Sequence, residues 1–288
     1  MNRIRKIILY SLYTIVMLVI FLYFRFPSEI MKDVLISQVQ KAEPLARLDT
    51  DRISPTIPPG IKLEPLSVSY ANTPLLRMDD LEITPHLFSL IGHSKKFSFK
   101  GTLGSGELNG MADAVVSAAD QQAQINLNLS RVPLEFLEIL NQYQTFRPEG
   151  EMDAKISYDS LKGGGTAEVS LEISQAHITL DPPLMGLEGM EFSLIKAQLI
   201  VTPRMMQIRS CEANGDQFES KLTGSIVFRQ PFEESRLTLS MTVKPQPAFL
   251  ADHKNDMIGG LLSSGNAQKR GLIFRISGTL HNPNYVVR

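Results

Sequence analysis

Ser193 and Lys196 stand three residues apart in Phe192-Ser193-Leu194-Ile195-Lys196. In a helix, the Ser-x-x-Lys spacing stacks a hydroxyl nucleophile over an amine base. Here Phe192 to Leu199 alternates as a strand does and no Lys-Thr-Gly accompanies it, so the pair reads as a coincidence of spacing. The five histidines, His86, His93, His177, His253 and His281, form no His-x-x-x-His or His/Cys cluster that would suit a metal. Cys211 is the single cysteine, with no second thiol or nearby histidine for a disulfide, metal or redox motif, and reads as a small half-buried residue. Neither Gly-x-x-x-x-Gly-Lys nor a strand-borne Gly-x-Gly-x-x-Gly is present. Gly163-Gly164-Gly165 reads as a hairpin turn, and Gly104-Ser105-Gly106 lacks the spacing of a nucleophile elbow. The acid pairs Asp49/Asp51, Asp79/Asp80 and Glu233/Glu234 lie in polar or proline-rich surroundings and read as solvated faces. The expectation is a protein without catalytic residues, cofactor or metal, which binds, bridges or shields.

The elements that carry these residues are bounded by composition. A chain of 288 residues accommodates a membrane segment plus one large or two smaller domains. Its 29 Lys+Arg against 30 Asp+Glu leave no global field to attract nucleic acid. The 17 prolines and 19 glycines are scattered as punctuation.

Ile7 to Phe24 contains no charged residue, a run of 18 that approaches the roughly 20 needed to span a hydrocarbon core. Arg3, Arg5 and Lys6 precede it, which by the positive-inside rule holds the N-terminus in the cytoplasm and sends everything after Phe26 across. The run exceeds the apolar stretch of a cleaved signal, and Tyr23-Phe24-Arg25-Phe26-Pro27 offers no small-x-small site. The bilayer is therefore an expected partner through residues 7–24. A short amphipathic helix from Ser28, its expected N-cap, follows before Pro44, with Ile30, Val34 and Leu35 at helical spacing. From about Arg47 to Gly60, prolines 55, 58 and 59 suggest a linker or irregular edge.

Beyond Gly60 the dominant signal is alternation with one apolar and one polar face, as in antiparallel strands. It occurs at Leu66, Val68 and Tyr70, at Phe97 and Phe99, and at Ile125, Leu127 and Leu129. It recurs at Val169, Leu171 and Ile173, at Leu237, Leu239, Met241 and Val243, and at Leu272, Phe274 and Ile276. The register slips at Asp79-Asp80, which suggests a bulge or tight turn. Short helices are expected over Pro85 to Gly92, over Ser130 to Tyr143 with Ser130 as N-cap, and over Phe249 to Leu262, and a mobile loop over Ser263–Gly271. Phe97 to Leu103 echoes Ile273 to Leu280, both strands ending in Gly-Thr-Leu. The expected fold class is mainly β with a few short helices: a curved antiparallel sheet, open and groove-like, behind an N-terminal transmembrane helix. The expected divisions are 1–26 (basic tip and anchor), 27–47 (juxtamembrane helix) and 48–288 (periplasmic β-rich domain), the last divisible into two similar halves near 145–165.

The order of a basic N-terminus, a single apolar helix, Arg25-Phe26-Pro27, Leu76 to Pro85, Phe97 to Gly101 and a terminal Gly278-Thr279-Leu280-His281-Asn282-Pro283 resembles the GspN family, protein N of type II secretion systems. The resemblance implies a non-enzymatic subunit of the bacterial inner membrane with a periplasmic domain, acting in assembly or scaffolding through contacts with other secretion-system subunits. The Gly-Thr-Leu ending and strand-rich body are also similar to AsmA-like envelope proteins, whose sheets bind or bridge lipid in an apolar groove. In that alternative Phe97, Phe99, Ile125, Leu127, Leu129, Leu237, Leu239, Phe274 and Ile276 would line the groove. In the plainer reading they fill a closed core.

Overall fold

The computed structural model describes residues 3–116, 121–141, 146–184, 187–252 and 271–287. Two helices open the chain, α1 (Arg3–Phe24) and α2 (Ser28–Ala42), broken at Arg25-Phe26-Pro27 where proline cannot continue the hydrogen-bond ladder. Glu29 in the first turn of α2 and Lys41 in the last complement its dipole. Ser28 is the first helical residue of α2 and not its cap; Pro27 holds the cap position without a side-chain hydrogen bond. Among the described residues no helix is long and apolar enough to cross a membrane. The side chains of Ile15, Leu18, Val19, Ile20 and Leu22, inside α1, lie outside the described set.

The described strands after α2 build one large antiparallel sheet of 15 strands. The strands are β1 (Ala46–Thr56), β2 (Gly60–Tyr70), β3 (Thr73–Met78), β4 (Asp80–Pro85) and β5 (Ser94–Leu103). Next come β6 (Gly106–Val116), β7 (Gln121–Pro133), β8 (Phe146–Asp159), β9 (Thr166–Leu184) and β10 (Leu187–Val201). The last are β11 (Met205–Asn214), β12 (Phe218–Val227), β13 (Arg236–Pro245), β14 (Leu272–Thr279) and β15 (Pro283–Val287). Sequence neighbours are also spatial neighbours throughout, except that β3 pairs only with β2, beside β4. β8 and β9 pair directly, from Phe146 opposite Leu180 to Asp159 opposite Thr166. Among the described residues, strand β1 pairs with no strand but β2, and β15 with none but β14, which leaves two open edges.

Several local expectations are corrected. Residues 47–60 are not a linker: β1 is a regular strand in register with β2, and Pro55 is tolerated because β1 is an edge strand. Ser130–Tyr143 is not one helix. Strand β7 continues to Pro133 through a bulge at Arg131 (φ 51°), whose N–H donates to Asp153 Oδ1 at 3.0 Å. A 3₁₀ turn (Leu134–Phe136) and a short α3 (Glu138–Asn141) follow, and residues 142–143 lie outside the described set. The helical spacing of Leu134, Leu137 and Leu140 is still real, since all three pack on the core. Pro85 belongs to β4, and only Leu87–Ile91 forms a 3₁₀ turn, ending at Gly92. Helix α4 (Pro247–Asp252) overlaps the start of the helix expected over Phe249 to Leu262; residues 253–270 lie outside the described set. The break at Asp79 and the turn at Gly163-Gly164-Gly165 fall where the sequence places them.

The main core sits under the first strands. Ile53, Leu63, Leu66, Met78, Leu103 and Val132 are buried there beneath Phe26 and Leu35 at the α1–α2 end and Leu137 and Leu140 of the α3 region. Among the described residues, α2 packs on β1, the 3₁₀ turns and α3 on β3, β5 and β8, and α4 reaches Phe218, Val243 and Leu272 on β12 to β14.

Candidate functional site: one apolar face of the sheet

Strand geometry sends alternate side chains to opposite faces, and residues directly opposite in a ladder share a face. Following the register from strand to strand therefore maps a face without ambiguity. Starting at Pro55 of β1, the ladder runs through Ile61, Ile83, Phe99, Gly110, Leu127 and Ile156. It continues through Val169, Leu199, Ile208, Gly224, Leu239 and Ile276 to Tyr285 of β15. No charged residue interrupts this row. At about 4.8 Å per strand it extends on the order of 60 Å.

A parallel row lies two residues away along each strand, three on β11 where a bulge intervenes. It passes from Ile53 through Leu63, Leu81, Gly101, Leu108, Leu129 and Ala154. It then follows Leu171, Ala197, Cys211, Leu222, Met241 and Phe274 to Val287. A third, shorter row joins Phe97, Ala112, Ile125, Tyr158, Ala167, Val201, Met206, Ile226 and Leu237. The nine residues singled out in the sequence thus lie on one face, Phe97 to Leu129 on β5 and β7 and Leu237 to Ile276 on β13 and β14.

The strands between those two groups supply the connecting residues. Ile156, Leu199, Ile208 and Leu222 were missing from the sequence-based set. Their signal was present as alternation in Met206-Gln207-Ile208 and Ile195 to Leu199, but Met and Ala are weaker strand markers than Phe or Leu.

The opposite face is polar. Lys62, Glu82, Lys100, Asn109, Asn128, Lys155, Ser170, Gln198 and Ser210 follow one another across it. Cross-strand ion pairs bind it together, including Lys196–Glu172 and Lys221–Glu212, both at 2.8 Å. Lys62 reaches Glu64 and, at 3.1 Å, Asp80, and hydrogen bonds to those two carboxylates raise its pKa.

The two halves of the apolar face differ in cover. Over the early strands Leu63, Leu103 and Val132 are fully enclosed. From β9 onward Leu199, Leu222, Leu239, Met241, Phe274 and Ile276 are half-buried, while Ala197, Ile208 and Leu237 on the same rows are buried. Among the described residues α4 packs at one end of that stretch, where the Phe249 ring centroid lies 4.6 Å from that of Phe218. Cys211 is part of this face, between Ala197 and Leu222. Burial, with a lesser contribution from the Glu212 charge, pushes its thiol pKa up, the opposite of an activated cysteine.

The motifs with potential chemistry are placed apart. Ser193 Oγ donates to the Asn214 carbonyl at 3.0 Å, while Lys196 is held by Glu172 on the neighbouring strand. Extended backbone does not stack residues i and i+3 as a helical turn would. His86 Nε2 and Ser98 Oγ are 2.7 Å apart, and His177 Nδ1 lies 3.5 Å from Glu191. Among the described residues no three His, Cys, Asp or Glu side chains gather as metal ligands would. Arg3 opens α1, and Arg5 and Lys6 are exposed on its first turns. Compared with protein-family models, with curated proteins and with solved structures, the chain matches none of them.

Proposed function

We propose that the chain is a bacterial inner-membrane-anchored envelope protein that holds lipid hydrocarbon on the apolar face of its sheet and performs no catalysis. The observation that carries this reading is the set of apolar rows crossing the whole sheet, on which, after β9, α4 is the helix that packs among the described residues and Leu199, Leu222, Leu239, Met241, Phe274 and Ile276 stay half-exposed. A half-exposed apolar strip of this length is costly in water, because each Å² of apolar surface left wet forgoes about 25 cal/mol. A ligand with a long apolar body removes that cost.

Anchoring rests on the uninterrupted run Ile7–Phe24. Helix α1 has 22 residues, about 33 Å at 1.5 Å per residue, against roughly 30 Å of hydrocarbon. Its side chains Ile7, Ile8, Leu9, Leu12 and Phe21 are exposed, as expected of a helix whose solvent is lipid. Arg3, Arg5 and Lys6 then set the N-terminus in the cytoplasm and the sheet in the periplasm.

The experiment is photo-crosslinking from the apolar face of the full chain in cells. A photoreactive amino acid at Leu239 or Ile276 gives lipid adducts, and one at Ser240 or Arg275 on the polar face gives none. Equal labelling from both faces would sink the reading.

A second reading, a GspN-like scaffold of type II secretion, is favoured by the open edge at β15. Tyr285, Val286 and Val287 are exposed there, and an edge of this kind accepts a partner's strand. Adducts to secretion subunits in place of lipid would move the assignment to it.

A further inference from the structure

We infer that the loops at the α1 end of the sheet form a second membrane contact, in which Ile57, Leu87, Phe88 and Ile91 insert into the leaflet from which α1 emerges. The inference rests on the reading of α1 as an anchor and adds to it a fixed orientation of the sheet on the bilayer.

Position is the first support. Helix α2 packs back along β1, with Leu35 and then Phe26 against the core that contains Ile53. Its 15 residues cover about 22 Å, which retraces roughly seven residues of strand from Ala46 and brings the α1–α2 junction level with Ile53. Only a few residues further lies the β1–β2 turn with Ile57. Antiparallel pairing of β2 with β4, Ile61 opposite Ile83, puts the β4–β5 connection at that same end. Pro58 and the segment Pro85–Ser89 in fact wall a single cleft of about 660 Å³.

Exposure is the second. Ile57 is 82% exposed, Phe88 95% and Ile91 91%, values beyond most of the exposed α1 side chains. A monomer in water gains nothing from presenting such residues together on neighbouring loops, whereas apolar side chains buried in the headgroup and acyl boundary gain transfer energy.

Charge is the third. Lys96 and Lys100 line the cleft behind the apolar tips, beside the Glu82 carboxylate, which already accepts a hydrogen bond from Thr84. Lys96 also lies 3.5 Å from Asp113. A shelf of lysines and carboxylates immediately behind apolar tips matches the order of hydrocarbon and charged headgroup met on entering a bilayer.

The test uses the full chain with Cys211→Ser, reconstituted in vesicles of phosphatidylethanolamine and phosphatidylglycerol. Single cysteines replace Ile57, Phe88 or Ile91 in turn, or Ser105 in the β5–β6 turn at the opposite end, and each is labelled with a polarity-sensitive fluorophore. The expected result is blue-shifted emission at 57, 88 and 91, quenched severalfold more by doxyl-labelled lipid than at 105. Emission at 57, 88 and 91 as aqueous and unquenched as at 105, in protein that stays with the vesicles after an alkaline carbonate wash, overturns the loop contact alone. Protein released by that wash overturns the anchor reading, and the loop contact with it.

Discussion

Gly224 of β12 lies directly opposite Leu239 of β13, with φ of +141°, and a Cβ at Gly224 would stand against the Thr238 carbonyl oxygen and 2.8 Å from the Leu239 Cα. The missing side chain is thus what lets β13 approach and keeps the apolar row level between Ile208 and Leu239. Gly110 plays a comparable part between Phe99 and Leu127, where an added Cβ would meet the Leu127 side chain.

Gly224→Ala is therefore expected to destabilise the fold by about 1–3 kcal/mol, combining a disfavoured backbone region with the clash on β13. Urea unfolding followed by circular dichroism measures it. A neutral substitution would mean that β12 and β13 separate at little cost.

Leu239→Asp and Ile276→Asp place a charge in the middle of the uncovered stretch. Since both positions are half-buried, stability is expected to fall by only about 1 kcal/mol each. Lipid co-purifying with the full chain, measured by mass spectrometry, is expected to drop severalfold. Ser240→Asp, one residue along on the polar face, leaves it unchanged.

Cys211 reports on the same surface. Because burial raises its pKa, its thiolate fraction at neutral pH is small, and its rate of maleimide labelling is expected to climb about tenfold per pH unit past the ordinary value of 9.0. An exposed Ser105→Cys thiol levels off near that value. Lipid bound on the face covers Cys211 and slows labelling at every pH, so equal rates for lipid-loaded and stripped protein would count against occupancy there.

Covered and uncovered parts of the face differ in what a truncation costs. Leu103 is 0% exposed, and Leu103→Ala is expected to cost about 2–5 kcal/mol through lost contacts and the cavity left behind. Leu222→Ala, half-exposed on the same face, costs less than half of that. Chemical denaturation midpoints of the two variants give the comparison directly.

Ser193→Ala and Lys196→Ala are each expected to change stability by less than about 1 kcal/mol, since the hydroxyl and the ion pair are both exposed. Neither alters lipid retention. A loss of function specific to both variants would revive a nucleophile and base at this pair.

Period-two alternation in Phe97-Ser98-Phe99, Ile125 to Leu129 and Leu237 to Val243 determined by itself that the body is antiparallel sheet with one apolar face, because side-chain direction along a strand follows from local backbone geometry. The break at Asp79 and the Gly163-Gly164-Gly165 turn were legible for the same reason. Proline misled at 55, where an edge position excuses it, and Leu134, Leu137 and Leu140 imitated one helix because a 3₁₀ turn and a short helix over a core reproduce helical spacing. Tertiary structure alone decided that β1 to β15 form one open sheet and that Phe99 and Leu239 belong to a single continuous row. That depends on the register of each pair of strands, set by contacts between residues distant in sequence, as is the absence of a broad cover over the described face beyond β9.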